Sequence, residues 1–313
     1  EIISLIDQHA VTITHFVPSM FNVFIEHVEN MKYVNRLKSL RYILASGEAL
    51  KPTQVVRFNQ VIDFSEKIVI INLYGPTEAT VEVTYYDCPH STDEIARIPI
   101  GKPISNTQLY IMDGKNLCGV GMPGELCIAG VGVARGYLNQ PEQTAEKFIE
   151  NPFEKGKMYC TGDLVKWLPD GKIEYLGRMD EQVKVRGYRI ELGEIENVIR
   201  KFDDLQDVAI VTKEDQSGDK YICAYIVAAC KIDIMEIKNH ARKELPEYMI
   251  PTSIMQIESI PVTSNGKLDR RALPEIEIKS KEYVAPRNDI ERQITEIFEE
   301  TLQVEQIGVR DNF

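Results

Sequence analysis

Two spacings of apolar residues alternate over the first 84 positions of the chain. Helical spacing in residues 1–9, 19–30 and 52–64 predicts three amphipathic helices, and the apolar runs "VTITHFV", "LRYILA" and "KIVIINLY" predict three strands between them. Such alternation is the signature of crossover units around a parallel sheet. From about 95 to 176 the pattern changes to short β-prone runs, "TQLYIMD", "GELCIAG" and "IEYLG", punctuated by Gly, Pro and Asn, which predict a small antiparallel barrel or curled sheet. After "GRMDEQVKVRGYRIELGEIENVIRKF" a third pattern sets in. Helices at about 191–202 and 233–244 accompany the strands "DVAIVTK" and "YICAYIV" in an α+β unit. "PEIEIKSKEYVAPRND" then reads as a linker and "DIERQITEIFEETLQ" as a further helix. The expected fold class is α/β followed by α+β.

A length of 313 residues corresponds to about two domains, and 43 % hydrophobic residues are enough to build their cores. A net charge of −12 opposes the attraction to phosphates on which non-specific nucleic-acid binding depends, so neither nucleic acid nor an anionic membrane is an expected partner. The six cysteines include no C-x-x-C pair and the five histidines no i, i+4 pair, which argues against a disulfide framework or a protein metal site. No apolar run approaches the roughly 18 residues of a transmembrane helix, and no signal-peptide pattern is present. The cytoplasm is the expected compartment. The sequence starts at Glu1 inside a helical pattern and stops at "VRDNF", as expected of a piece of a longer chain.

Candidate chemistry begins where "KIVIINLY" runs into Gly75-Pro76-Thr77-Glu78. Ligands of open α/β sheets bind outside the carboxyl ends of the strands, although Gly-Pro followed by Thr and Glu also serves as plain punctuation before a helix. "GVGVARG" at 130–136 has G-x-G-x-x-x-G spacing with no long helix after it, so turns and close packing explain it better than a nucleotide loop. In "YCTGDL", Asp163 follows Thr-Gly at a strand edge, where its carboxylate could accept both hydroxyls of a ribose or close an Asx-type turn. In "NGKLDR", Lys267 follows a flexible Asn-Gly and is either a cation presented at a loop tip or part of a solvated hairpin.

Taken together and in order, "NLYGPTE", "GELCIAGVGVARGYL", "YCTGDL", "GRMDEQVKVRGYRIELGEIE", "LPEYMIP" and "NGKLDR" resemble the later core motifs of the adenylation domains of non-ribosomal peptide synthetases, over residues 1 to about 275. Cys160 departs from the Arg or Lys usual before Thr-Gly-Asp, and the family's phosphate loop and amino-group aspartate lie upstream of these motifs. The resemblance implies a partial large subdomain over 1–179 (α/β to about 84, barrel about 95–176), a small C-terminal subdomain over 180–275, a linker over 276–285 and the start of a peptidyl carrier domain over 286–313. It implies ATP and Mg²⁺ as cofactors, with Asn72 and the Gly47-Glu48-Ala49 turn bordering the purine and Tyr74 lying against it beside Gly75. Thr77 would contact the α-phosphate, Glu78 would hold Mg²⁺, Asp163 would take the ribose with Arg178 nearby, and Asp180 would be the hinge. The "KVRGYR" loop would reach the site for the second half-reaction, in which a carrier-bound phosphopantetheine thiol captures the aminoacyl group. The serine bearing that group lies outside the sequence. Partner domains implied are the carrier and its neighbours, such as a condensation domain.

The family's specificity positions fall at His15, Leu44, Ser46, Leu73, Val81 and Glu82, with Lys267 closing the carboxylate end. This set is similar to that of serine-activating domains: His15, Ser46 and Glu82 suit a hydroxyl, and the leucines limit size. A wall in which His15 and Glu82 satisfy each other is the alternative. Two other readings of the whole are an acyl-CoA or aryl-acid ligase of the same superfamily, and a non-catalytic docking fragment with weak Mg-ATP affinity. Because Lys267 can touch the substrate carboxylate and the phosphate oxygens at once, Lys267→Ala is expected to slow adenylation roughly 10²–10³-fold. Amino-acid-dependent ATP–pyrophosphate exchange measures this, and near-normal exchange would remove Lys267 from the role.

Overall fold

In the computed structural model the described residues are 2–31, 33–62, 68–180, 182–215, 220–263, 268–276, 285–302 and 307–309. The opening alternation is as expected: α1 (Ile2–Gln8), β1 (Ile13–Phe16), α2 (Pro18–Met31), β2 (Tyr42–Ala45), α3 (Pro52–Val61) and β3 (Val69–Tyr74). Strands β1, β2 and β3 pair in parallel, with His15, Leu44 and Ile71 in register on one face and Phe16, Ala45 and Asn72 on the other. The second face is packed by the helices. Phe16, Phe21, Phe24 and Phe58 form its aromatic centre, with Phe21 and Phe58 rings 5.4 Å apart. Helix α3 starts where Pro52 stands at the first helical position and the Gln54 side chain accepts the Lys51 N–H at 3.0 Å. It ends at Val61 rather than 64, because Ile62 is already extended, with φ −84° and ψ 130°.

The sheet is not wholly parallel. β4 (Thr84–Asp87) and β5 (Lys102–Pro103) extend it antiparallel beyond β3, because residues 75–83 double back as a tight turn instead of a crossover helix. The second unit holds β6 (Thr107–Asp113), β7 (Asn116–Leu117), β8 (Gly124–Gly130), α4 (Pro141–Lys147), β9 (Phe148–Glu150), β10 (Lys157–Trp167) and β11 (Ile173–Arg178). These strands form an antiparallel sheet in the order β11-β10-β8-β6-β7, with β9 on β10, and no pairing among the described residues closes β11 onto β7. A bridge between Gly101 and Ile173 joins it to the first sheet.

A two-stranded ribbon, β12 (Val183–Val185) and β13 (Tyr188–Ile190), leads into α5 (Leu192–Ile199), β14 (Leu205–Glu214), β15 (Lys220–Ala228), α6 (Ile234–Ala241) and β16 (Ser253–Gln256). The three longer strands make one sheet, antiparallel at β14–β15 and parallel at β15–β16. Its core joins Ile195 and Ile237 of the helices to Val208, Ile222 and Ile254 of the strands. Helix α6 is capped by Asp233, whose side chain accepts the Met235 N–H at 2.9 Å. Helix α7 (Asp289–Leu302) matches its expected range almost residue for residue.

Phe58 is 1 % exposed and in contact with two other rings, so Phe58→Ala is expected to destabilise the first sheet's core by about 3–5 kcal/mol. The first transition in urea unfolding reads this directly, and an unchanged midpoint would contradict the packing.

Candidate functional site

The carboxyl end of β3 delivers Tyr74 into a turn that only glycine can follow. A Cβ on Gly75 would lie 2.7 Å from the Glu82 Cα, against the returning backbone. Thr77–Ala79 then form one 3₁₀ turn, after which Thr80 and Val81 both take left-handed conformations, with φ 61° and 72°. For β-branched residues this is strained backbone, held by the Thr80 hydroxyl donating to the Gly132 carbonyl at 2.7 Å.

Two carboxylates, one buried and one half-buried, organise the site. Asp163 is 5 % exposed and accepts from the Tyr74 hydroxyl and from Arg178 Nη1, the latter at 2.9 Å. It lies not at a strand edge but inside β10, where the register against β8 shifts between Cys160 and Leu164. In that bulge the Thr161 hydroxyl accepts the Asp163 N–H, and Gly162 has φ +73°, where a Cβ would sit 2.8 Å from the Arg178 guanidinium and push it from its place. Arg178 also binds Asp180 through two nitrogens, so the expected hinge residue is tied to the Asp163 cluster. Burial pushes the Tyr74 hydroxyl well up, and the neighbouring Asp163 charge adds to it.

Glu78 is the second. Its Oε1 accepts from the hydroxyls of Tyr137 at 2.7 Å and Tyr159 at 2.9 Å, and its Oε2 from Arg189 Nη1 at 2.7 Å. Burial works against its ionised form, but the Tyr137 hydrogen bond and the Arg189 charge outweigh that and hold the carboxyl below its usual range. Three of about four acceptor positions are thereby filled, so in this arrangement Glu78 does not fit a divalent cation.

Arg189 comes from the β12–β13 ribbon, which is docked on the first sheet. The Gly187 N–H donates to Glu48 Oε1 at 2.8 Å, while Glu48 Oε2 accepts the Ser19 N–H at 3.0 Å. Gly187, at φ +80°, packs its Cα against Val17, where a Cβ would approach Cγ1 to 2.6 Å. Lys184 of the same ribbon carries its ammonium 5.7 Å from the centre of the Tyr74 ring. Burial pulls Lys184 down, against the upward pull of Asp163 and Glu82.

Of the expected specificity positions, His15, Leu44 and Leu73 share one sheet face, and His15 Nε2 lies 2.7 Å from the Ser46 hydroxyl. Glu82 is half-buried and also near Ser46, its Oε2 without a hydrogen-bond partner, and burial raises its carboxyl. Ser46 thus stands between His15 and Glu82. Val81 is on the rim, 62 % exposed. Asn72 faces the other way, buried, its amide donating to the Pro99 carbonyl at 2.9 Å, which ties down β3 instead of opening towards a ligand. Ala49 is exposed beside Gly47 and Glu48, and Thr77 is exposed on the turn. Lys267 lies outside the described residues. Tyr137 and Tyr159 were given no role by their sequence pattern, although each falls in a quoted motif, and Lys184 and Arg189 were placed only as members of the "KVRGYR" loop.

The Gly-Pro-Thr-Glu turn, the Thr-Gly-Asp bulge and the docked ribbon meet at one sheet end. The chain belongs to the AMP-binding enzyme family: residues 1–138 match the family's "AMP-binding enzyme" model and residues 194–267 its "AMP-binding enzyme C-terminal domain" model. It is 43 % identical over 99 % of its length to part of bacitracin synthase 1 from Bacillus licheniformis, and 46 % identical over 96 % of its length to part of gramicidin S synthase 2 from Aneurinibacillus migulanus. It spans only 6 % and 7 % of those relatives. Among solved structures it resembles holo-PA1221, a non-ribosomal peptide synthetase protein containing adenylation and PCP domains bound to a vinylsulfonamide inhibitor. That match has a TM-score of 0.74 and 28 % identity, over 86 % of this chain and 45 % of that one. The artificially fused adenylation–PCP protein NpsA-ThdA from Klebsiella oxytoca matches with a TM-score of 0.69 and 28 % identity, over 81 % and 46 %.

Tyr74→Phe removes one of two donors to a buried charge and is expected to cost about 1.5–3 kcal/mol. Thermal or urea unfolding measures it, and a variant as stable as the parent would show that the hydroxyl does not hold Asp163.

Proposed function

We propose that this chain is the later part of an adenylation domain that activates L-serine and passes it to a carrier domain. The domain limits follow that reading: large-subdomain residues 1–179, small subdomain 180–275, linker 276–285 and carrier start 286–313. In the first half-reaction a substrate carboxylate oxygen attacks the α-phosphorus of ATP and pyrophosphate leaves, giving aminoacyl-AMP. In the second a pantetheine thiol attacks the acyl carbon and AMP leaves. Positioning and electrostatics account for most of such catalysis.

Asp163 keeps two acceptor positions for ribose hydroxyls, Tyr74 offers a ring to the adenine, and Thr77 is exposed on the turn to meet a phosphate. Mg²⁺ would supply charge compensation for the phosphates, and Glu78 would hold it only with Arg189 withdrawn. Lys267 is assigned to the first half-reaction. The docked ribbon suits the second: it is seated on Glu48 and Glu78, and it brings Lys184 over Tyr74. That docking is the observation that carries the reading. Serine is supported by the His15–Ser46–Glu82 group, which leaves a buried carboxylate oxygen unpaired for a ligand hydroxyl. A site built this way can reject an analogue lacking the hydroxyl by up to roughly 10⁴-fold.

In a chain restored to a complete module, pyrophosphate exchange across the twenty amino acids is expected to be dominated by serine. Exchange with another amino acid would discard the pocket assignment, and none with any would discard the activity. Arg189→Gln is expected to slow carrier loading roughly 10²-fold while leaving exchange nearly unchanged, because the pair to Glu78 exists only with the ribbon docked. Equal loss in both assays would contradict this division.

A further inference from the structure

Strands β8 and β10 carry two thiols to which the adenylation reading gives no role. Cys127 and Cys160 are register partners with their sulfurs 3.6 Å apart, on the sheet face they share with Met112, Ala129 and Met158. The phase of the ladder decides what kind of pair they are. The Leu126 carbonyl accepts the Thr161 hydroxyl at 2.8 Å, so Leu126 turns its backbone polar groups towards β10, and Cys127, next along the strand, turns its own towards β6. In agreement, Ile111, the β6 partner of Leu126, gives its carbonyl to Cys118 and not to β8. Cys127 and Cys160 are therefore a non-hydrogen-bonded pair. In such pairs the Cα atoms lie about 4.5 Å apart with the side chains close, within the roughly 4.4–6.8 Å that a disulfide spans.

The two thiols differ in access and character. Cys127 is 1 % exposed, whereas Cys160 is partly open to solvent. The hydrogen bond from Cys127 draws the Cys160 thiol down in spite of its burial, and that bond together with burial pushes Cys127 up. Glu125 lies beside both sulfurs, and its charge opposes the downward pull on Cys160 while the Lys147 charge supports it. Glu125 is a third donor within 4.8 Å, but its Oε1 already accepts the Gly162 N–H at 2.8 Å, so the thiol pair, rather than a metal centre, is what the geometry favours.

We propose that Cys127 and Cys160 are a reversible redox pair that closes into a cross-strand disulfide when a peroxide reaches Cys160. The Cys160 thiolate attacks one peroxide oxygen and hydroxide leaves, giving a sulfenic acid. The Cys127 sulfur then attacks that sulfur, one S–S bond forms and water leaves. In total, two thiols and one hydrogen peroxide become a disulfide and two waters, and a dithiol reductant reverses the change. The bond fastens the two strands at the foot of the bulge that holds Asp163, next to the Glu125–Gly162 hydrogen bond.

The test is peptide mapping of the whole chain under non-reducing conditions after hydrogen peroxide treatment. The expected result is a dithiothreitol-sensitive link between the peptides holding Cys127 and Cys160, with two of the six thiols lost to titration. Cys160→Ser should abolish the link, and Cys230→Ser should leave it. Oxidation of both residues to sulfinic acid without a link, a link to another cysteine, or a bound zinc ion that protects the pair would each overturn the proposal. The wild-type map decides the matter even if a variant folds poorly, and it needs no substrate, so its outcome is independent of the adenylation reading.

Discussion

The carboxylate of Glu78 is a charge in a place where a charge alone could not stay. Its side chain is 11 % exposed, and its partners come from three regions: Tyr137 beyond β8, Tyr159 inside β10 and Arg189 on β13. Phenols supply hydrogen bonds but no charge, so among the described residues Arg189 is the one that balances it. Since Arg189 belongs to the ribbon that docks through Gly187 on Glu48, the position of the ribbon and the electrostatic state of the site are one variable. Undocking the ribbon would leave a half-buried anion without its cation, a demand that another cation or water would have to meet.

On the proposed reading, that demand suits an enzyme with two half-reactions. With Arg189 in place Glu78 has no room for a divalent ion, so on that reading it would hold Mg²⁺, which would compensate phosphate charge, only with the guanidinium withdrawn. Asp163 differs in that its Arg178 comes from the neighbouring strand β11 and is also bound by Asp180 through two nitrogens. Gln182 joins that cluster to the ribbon: its N–H donates to Asp180 Oδ1 at 3.1 Å, while its side chain binds Arg189 and Glu191.

Local pattern revealed the elements but not their meeting points. β6 and β8 were legible to the residue because strand runs bounded by turn formers leave a local mark, and α7 because its apolar spacing is regular. The antiparallel addition of β4 was not legible, since "TYYD" carries no sign of direction and the reversal depends on Gly75 and two left-handed residues. Helix α5 ended at Ile199 and not 202 because the backbone turns through Asp204 at φ 72° before β14. The pairing of Glu78 with Arg189 spans 111 positions, and that of Tyr74 with Asp163 spans 89, so no periodicity could expose either. Family motifs brought these residues into view without saying which touched which, and they gave Asn72 a site role at odds with its amide's commitment to Pro99.

The most direct test of the central claim is loading of the holo-carrier domain in the complete module, followed by intact-mass spectrometry after addition of Mg-ATP and a mixture of amino acids. The predicted result is that the phosphopantetheine thiol gains one seryl group and that hydroxylamine removes it. Gain of a different acyl group would keep the enzyme and contradict the pocket, and a carrier whose mass never changes would contradict adenylation itself.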